Sequence, residues 1–399
     1  MALEVGRVDL HNMPAFNLSE TDQMKKYLNK DHAFRTKQIV VPYRGLIDDH
    51  FGAFGGEAFA ANGWRNFPPL VGSQNVKEKP FFATLNRNSY LWSYACGGGW
   101  YQGASGVGTT TDFANDTVLS VFTMLFGSYF GDWDNADNFL RAPLASTGYV
   151  LTSCWAGRPN WQFHHMALGE NIGYCARLSQ NNQLTYLSGY GQKMIHVALM
   201  GDPTLRQHII ASPSNVAASQ QNQVVTISWQ PSPDTIPGYY IYRSQQRFGT
   251  YSRISPQIIT SLTFNDPQPV EGITYYMVKA VKLQHTPSGS YYNLSTGITD
   301  SVMVYTSTGH SSEPLPVLLL YPVPATDRIN FELGRDLSAG CRVTIMETSG
   351  RIILVRDFPS ITKYRSYSIP VDRLSPGIYL LSVNFADGVI TRKIEKIGN

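Results

Sequence analysis

Hydrophobic and polar positions divide the chain into stretches with different periods. In residues 1–212 apolar residues come in short continuous runs, at 38–43, 90–95 and 118–126. Such runs predict buried strands of a sheet covered on both faces, as in α/β folds. Residues 21–27 (TDQMKKY) predict a helix start, with Ser19 or Thr21 as N-cap, and residues 163–178 predict a helix bearing His164, His165 and Glu170. The glycine-rich stretch 97–108 predicts a loop. Residues 213–306 switch to alternation. The runs 224–229 (VVTISW), 239–243 (YYIYR) and 274–281 (TYYMVKAV), parted by Pro, Gly, Ser and Asp turns, predict a β-sandwich. A polar, Pro-containing linker spans 307–316. Alternation returns in 317–399, with strands predicted at 328–333, 342–347, 352–356, 378–385 and 389–397 and hairpin turns at Ser349-Gly350 and Asp387-Gly388. The predicted fold is multi-domain: an α/β domain followed by two small all-β sandwiches.

Composition narrows the function. A length of 399 residues predicts roughly two to four domains. With 43% hydrophobic residues the chain can build packed cores, and a net charge of +3 without a basic cluster argues against nucleic acid as the main partner. No apolar run reaches the roughly 18–20 residues of a membrane span. High aromatic content with 23 Tyr, together with abundant Gly, Asn, Ser and Thr, suits β-rich exported proteins. The four cysteines form no Cys-x-x-Cys pair, so neither a zinc ribbon nor a disulfide scaffold is predicted, although Cys154 and Cys175 are free to pair. No dinucleotide fingerprint or Walker A sequence is present, and no organic cofactor is implied.

Three groups of residues are candidates for chemistry. Cys96 ends an apolar run and is followed by Gly97-Gly98, and His50 lies 46 residues ahead of it. A thiolate activated by an imidazole, with glycine N–H groups holding an oxyanion, is the sharp reading. The plain one makes Cys96 a small core residue and His50 a surface loop residue. Asp132, Asp134 and Asp137 lie in an acidic loop whose oxygens suit Ca²⁺. The loop lacks the Gly and Glu of an EF-hand, and the alternative is a solvated turn capping a helix near 139–144. His164-His165 with Glu170 is not a spaced zinc motif, because adjacent helix residues point in different directions.

Longer motifs add three resemblances. Trp229 and Tyr276-Met277-Val278-Lys279-Ala280 resemble the core Trp and the Tyr-x-Val-x-Ala strand of fibronectin type III domains. That resemblance implies a corner hydrogen bond from Tyr276 and a spacer role. Tyr321-Pro322-Val323-Pro324-Ala325, Ser349-Gly350-Arg351, Leu374-Ser375-Pro376-Gly377-Ile378-Tyr379-Leu380 and Arg392-Lys393-Ile394 resemble, in order, the type A C-terminal sorting domain of the bacterial type IX secretion system. This implies type IX machinery as partner and a secreted or outer-surface destination. No signal peptide is visible after Met1, so the chain is expected to be a fragment of a longer reading frame.

The first stretch resembles gingipain-type cysteine peptidases, which are caspase-like. The carrying pieces are Gly6-Arg7-Val8, Lys26-Tyr27, the strand from Leu85 to Tyr94, Gly108-Thr109-Thr110, the strand 121–133, the segment 151–161 and Gly201-Asp202-Pro203-Thr204-Leu205. Tyr94-Ala95-Cys96-Gly97-Gly98 is also close to a caspase signature. The first strands of that domain are expected to be absent. The resemblance implies a catalytic His at the position of Gly97 and a catalytic Cys at the position of Ser128, so both dyad members are replaced. Three readings stand at this point. One is a degenerate peptidase with a groove for a peptide or protein ligand. Another is a hydrolase using Cys96 or Ser128 with His50, His164 or His165 as base. The third is a surface adhesion or binding protein.

Overall fold

The computed structural model describes residues 2–156, 161–181, 199–305, 316–386 and 388–398. Nearly all of the linker 307–316, part of the segment 151–161 and Asp387 of the second hairpin turn lie outside the described residues. The chain forms two compact units, Met1–Thr306 and Ser307–Asn399.

In the first unit strands and helices alternate: α1 (Glu20–Arg35), β1 (Gly45–Asp49), α2 (Ala61–Val71), β2 (Val76–Glu78), α3 (Phe81–Leu85), β3 (Tyr90–Cys96), α4 (Thr110–Asn115), β4 (Ser120–Phe126), α5 (Ala142–Ala145), β5 (Thr152–Trp155), α6 (Ile172–Gln180) and β6 (Leu199–Gly201). The strands form one sheet in the order β2-β1-β3-β4-β5-β6. The first five are parallel and β6 is antiparallel. Parallel neighbours need crossovers, which the intervening helices supply, and both faces are therefore covered. That is why every residue of β3 and β4 is buried. Trp92 of β3 anchors the core: its ring stacks on Phe122 at 4.7 Å and lies 4.9 Å from Phe163.

Ser19 caps α1, as its side chain accepts from Asp22 N. The helix runs on to Arg35, so Lys26-Tyr27 sits in its middle rather than at its end. One expectation fails at the start of the sheet. Residues 38–43 form no strand; they lead into β1, Gly45–Asp49. The sequence GLIDD hid β1 because two carboxylates close an otherwise apolar run. The helix expected over 163–178 is two pieces, a 3₁₀ turn at His164–Leu168 and α6. Gly169, at φ +98°, ends the first piece.

Residues 214–304 form the expected sandwich, with one sheet of three strands and a second built around the long strand Gly272–Thr286. Trp229 and Tyr276 are buried in its core. Tyr276 makes the corner hydrogen bond, donating to Asp266 Oδ2 at 2.8 Å, and Arg243 pairs with the same carboxylate. This sandwich is not a free spacer. Ser288 Oγ donates to Pro69 O at 2.8 Å, Asn293 Nδ2 donates to His208 O at 3.1 Å, and Lys37 Nζ pairs with Asp234. A Cβ on Gly169 would lie 2.5 Å from the Tyr291 ring.

The second unit is a seven-stranded sandwich of a three-stranded and a four-stranded sheet. Its core holds Ile329, Phe331, Val343, Ile345, Leu381 and Val383. The motif residues stitch it together. Ala325 N donates to Glu395 O at 2.8 Å and Ile397 N to Ala325 O at 3.0 Å, and Tyr379 OH donates to Ser375 O at 2.9 Å. Gly350, at φ +90°, makes the predicted hairpin turn.

Candidate functional site

In an open α/β sheet, ligands bind outside the carboxyl ends of the strands, where the strand order reverses. Here that place lies between β1 and β3, and it gathers Asp48, Asp49, His50 and Cys96. Asp49 and Cys96 are register partners at the two strand ends, and His50 N extends the ladder by donating to Cys96 O at 2.9 Å.

The side chains pair in a way that works against a nucleophile. Cys96 is fully buried, and its thiol donates to Asp49 Oδ1 at 3.1 Å. The same oxygen accepts Phe51 N at 2.9 Å and Gly52 N at 3.0 Å. Burial first, and the Asp49 carboxylate second, push the Cys96 thiol up to about 12. A nucleophilic cysteine needs the opposite, a nearby positive charge that favours the thiolate. The His50 imidazole is turned to another partner: Nε2 meets Asp48 Oδ1 at 3.0 Å. Asp48 also accepts Phe81 N at 2.8 Å, and burial raises its carboxyl above the usual range despite that bond and His50.

The seats that the peptidase resemblance assigns to the dyad are neighbours. Phe126 and Cys96 are register partners, and Gly97 N donates to Phe126 O at 3.1 Å. The glycine loop folds back over them. Gly99–Trp100, Gly103–Ala104 and Gly108–Thr109 form a small three-stranded ribbon. A Cβ on Gly97 would lie 2.2 Å from Ser105 O, so backbone occupies the space an imidazole would need there. A Cβ on Gly99 would lie 2.4 Å from Ser128 N, and one on Gly106 would lie 2.3 Å from His50 Nδ1. Ser128 is exposed at the end of β4, and among the described residues no imidazole hydrogen-bonds it or Cys96.

The other candidates lie elsewhere. The His164 and His165 rings lie 4.3 Å apart with their planes tilted by 38°, on the turn that Gly169 brings against Tyr291. Burial first, then the neighbouring His165, hold His164 below the usual imidazole range. Asp132, Asp134 and Asp137 do not converge: Asp137 Oδ1 accepts Ala15 N at 2.9 Å, and no group of three His, Cys, Asp or Glu among the described residues is placed to hold a metal. The loop is turned by Asn138, whose Oδ1 accepts Leu140 N at 3.1 Å, while α5 begins at Ala142 with no side-chain cap.

Two residues that the sequence reading missed organise this end of the molecule. Asp49 sets the state of Cys96, and its signal was the Asp-Asp pair at a strand end. Arg141, almost fully buried, ties the loop after β4 to the N-terminal segment through Asp9 Oδ1 at 3.2 Å, His11 O at 2.6 Å and Asn135 O at 2.8 Å. Its signal was a lone Arg inside the apolar run 139–145. The Gly-Asp-Pro segment has a framework role: Asp202 N donates to Tyr27 OH at 2.8 Å, Asp202 pairs with Arg35, and its Oδ1 accepts Thr204 N at 2.8 Å.

Comparisons with known proteins bear mainly on the C-terminal unit. Residues 319–396 match the family described as the secretion system C-terminal sorting domain. No curated protein matches the chain. Among solved structures, an Fn3-like protein from Clostridium thermocellum is similar at 23% identity, over 26% of this chain and 100% of that one, with a TM-score of 0.19. A two-domain fibronectin type III segment of chicken tenascin is similar at 12% identity, over 46% of this chain and 99% of that one, also with a TM-score of 0.19. The chicken interferon gamma receptor alpha chain is similar at 12% identity, over 46% and 98%, with a TM-score of 0.20. At such TM-scores these likenesses decide nothing about function. The sorting-domain match does: the chain carries a type IX C-terminal sorting domain and is an exported protein, bound for secretion or the cell surface.

Proposed function

We propose that the first unit of this exported protein is a degenerate relative of gingipain-type, caspase-like cysteine peptidases, and that it works as a non-catalytic binding domain at the cell surface or outside the cell. The supporting observation is the state of the β3 and β4 ends. They are adjacent, as a strand-end dyad requires, yet Gly97 faces the Ser105 carbonyl and Ser128 has no base. The one thiol nearby hydrogen-bonds a carboxylate, not an imidazole. Glycine accepts no proton, and an unassisted serine hydroxyl stays protonated near neutral pH. Catalysis by the family's route therefore has no base and no thiolate.

A binding role draws support from the loops above these strand ends, which display Trp100, Tyr101 and Tyr129 to solvent. Tyr101 and Tyr129 lie 5.2 Å apart, and exposed aromatic rings of this kind are favoured at protein interfaces.

Purified protein assayed on broad peptide libraries tests the reading. The expected result is no cleavage above buffer. Cleavage that disappears in Cys96→Ala or Ser128→Ala would overturn it and make this a working hydrolase.

A further inference from the structure

The seam between the α/β layer and the fibronectin-like sandwich, both within the first compact unit, holds a cleft of about 190 Å³. Its walls include Phe34, Val41 and Leu91 from the α/β side, and Ile209, Lys282 and Gln284 from the seam and the sandwich. At its mouth Val40 is 74% exposed and Tyr43 is 45% exposed, so the apolar lining continues out to solvent.

The charges in this cleft do not cancel. Lys37 also lines it, but its ammonium is held by Asp234, with Nζ to Oδ2 at 2.6 Å. Asp234 is further used by Ala211 N at 2.9 Å. His208 lies behind the wall and bonds Tyr291 OH at 3.1 Å through Nδ1. Burial first, and the Lys282 charge second, hold its imidazole down to about 4, so it is neutral. Among the described residues the Lys282 side chain makes no ion pair or hydrogen bond, and the carboxylate that feels its charge, Asp234, is already held by Lys37. Two ammonium groups, Lys37 and Lys282, thus share the one Asp234 carboxylate beside an apolar hollow, and the remaining positive charge attracts an anion with an apolar body.

From this arrangement we propose that the seam cleft is a binding site for a small organic carboxylate. The carboxylate meets Lys282 and the Gln284 amide, and the apolar part lies on Phe34, Val41, Leu91 and Ile209. The volume equals about six liquid-water volumes, which sets the ligand at the size of a short-chain fatty acid or an aryl carboxylate rather than a nucleotide. The site lies away from the strand ends and does not depend on any peptidase ancestry.

Benzoate and hexanoate, titrated into the first unit within the full chain, are the probes, with methyl NMR signals of Val41, Leu91 and Ile209 as the local readout. Saturable shifts confined to these methyls are expected. Benzamide, which has the same shape without the charge, should bind at least about tenfold more weakly, because a hydrogen bond to a charged group is lost. Lys282→Gln should weaken benzoate by a similar factor, and Lys282→Arg should keep it. Thermal melts of both variants report whether the seam stays closed. Absence of saturable binding by the wild type overturns the proposal. So does equal binding of benzoate and benzamide, or benzoate binding unchanged in a folded Lys282→Gln.

Discussion

In the C-terminal sandwich the residues of the motifs meet one another. The Tyr-Pro-Val-Pro-Ala segment pairs with the last strand through Ala325, and Tyr379 closes onto Ser375. At the strand ends of the α/β layer a thiol, an imidazole and a hydroxyl are just as close, but they do not meet one another. Cys96 bonds Asp49, His50 bonds Asp48, and among the described residues Ser128 has no side-chain partner. The contrast separates two kinds of motif. One that specifies a fold keeps its meaning as long as the backbone contacts form. One that specifies chemistry depends on which side chains meet, and here the thiol and the imidazole each meet a carboxylate.

Core substitution sharpens the comparison most. Phe331 is buried in the C-terminal core against Phe358 and Tyr367. Phe331→Ala is expected to cost that unit about 3–5 kcal/mol. In calorimetry its transition should drop while that of Met1–Thr306 stays in place. A single merged shift would show that the two units do not melt independently.

Rebuilding the dyad comes next. Gly97→His in a Ser128→Cys background should restore no peptidase activity and should destabilise the first unit by about 1–3 kcal/mol or more, because the new Cβ overlaps the Ser105 carbonyl. Ser128→Cys alone, at an exposed position, should leave the denaturation midpoint unchanged. Recovered peptide cleavage by the double variant would break the contrast between the two kinds of motif.

Legibility from sequence followed the same division. Both sandwiches alternate apolar and polar residues because one face of a strand meets a core and the other meets water, so their most regular strands could be read directly, while strands such as Ser214–Gln221, Ile298–Val304 and Tyr367–Pro370 could not. Strands β3 and β4 were legible as continuous apolar runs, being covered on both faces. β1 was not, because its last two residues are Asp48 and Asp49, whose carboxylates find partners only in the folded state. The break at Gly169 was missed because a single glycine inside an apolar helical pattern does not by itself show that it will take the left-handed cap conformation. At the site, the residue types alone showed that Gly97 offers no side chain and Ser128 only a hydroxyl. The thiol–carboxylate bond and the backbone filling of the Gly97 seat were not legible, since both depend on how two loops fold back.

The smallest expected effect concerns pH. Lys30 is buried and donates to Leu144 O at 2.8 Å and Ser146 O at 3.2 Å. Burial first, then the Lys26 charge, lower its ammonium to about 7. Its unfolded value is about 10.4, so above neutral pH the unfolded chain holds the extra proton and stability rises with pH. Below pH 7 both states are charged and the full cost of burial is present. Urea denaturation of wild type and Lys30→Met at pH 7 and 9 should show the difference between them moving in favour of wild type, by at most about 1.4 kcal/mol per pH unit. A pH-independent difference would mean that Lys30 stays charged in the fold.

The central claim is that the thiol at the end of β3 is a poor nucleophile held by a carboxylate. Labelling cysteine Cβ with ¹³C, assigning Cys96 by its loss in Cys96→Ser, and following its shift against pH tests this directly. The account predicts no thiolate through pH 9 and a midpoint near 12, falling in Asp49→Asn but staying above the ordinary thiol range, because burial is the larger cause. A midpoint at or below 8 in the wild type would contradict it and return Cys96 to the list of working nucleophiles.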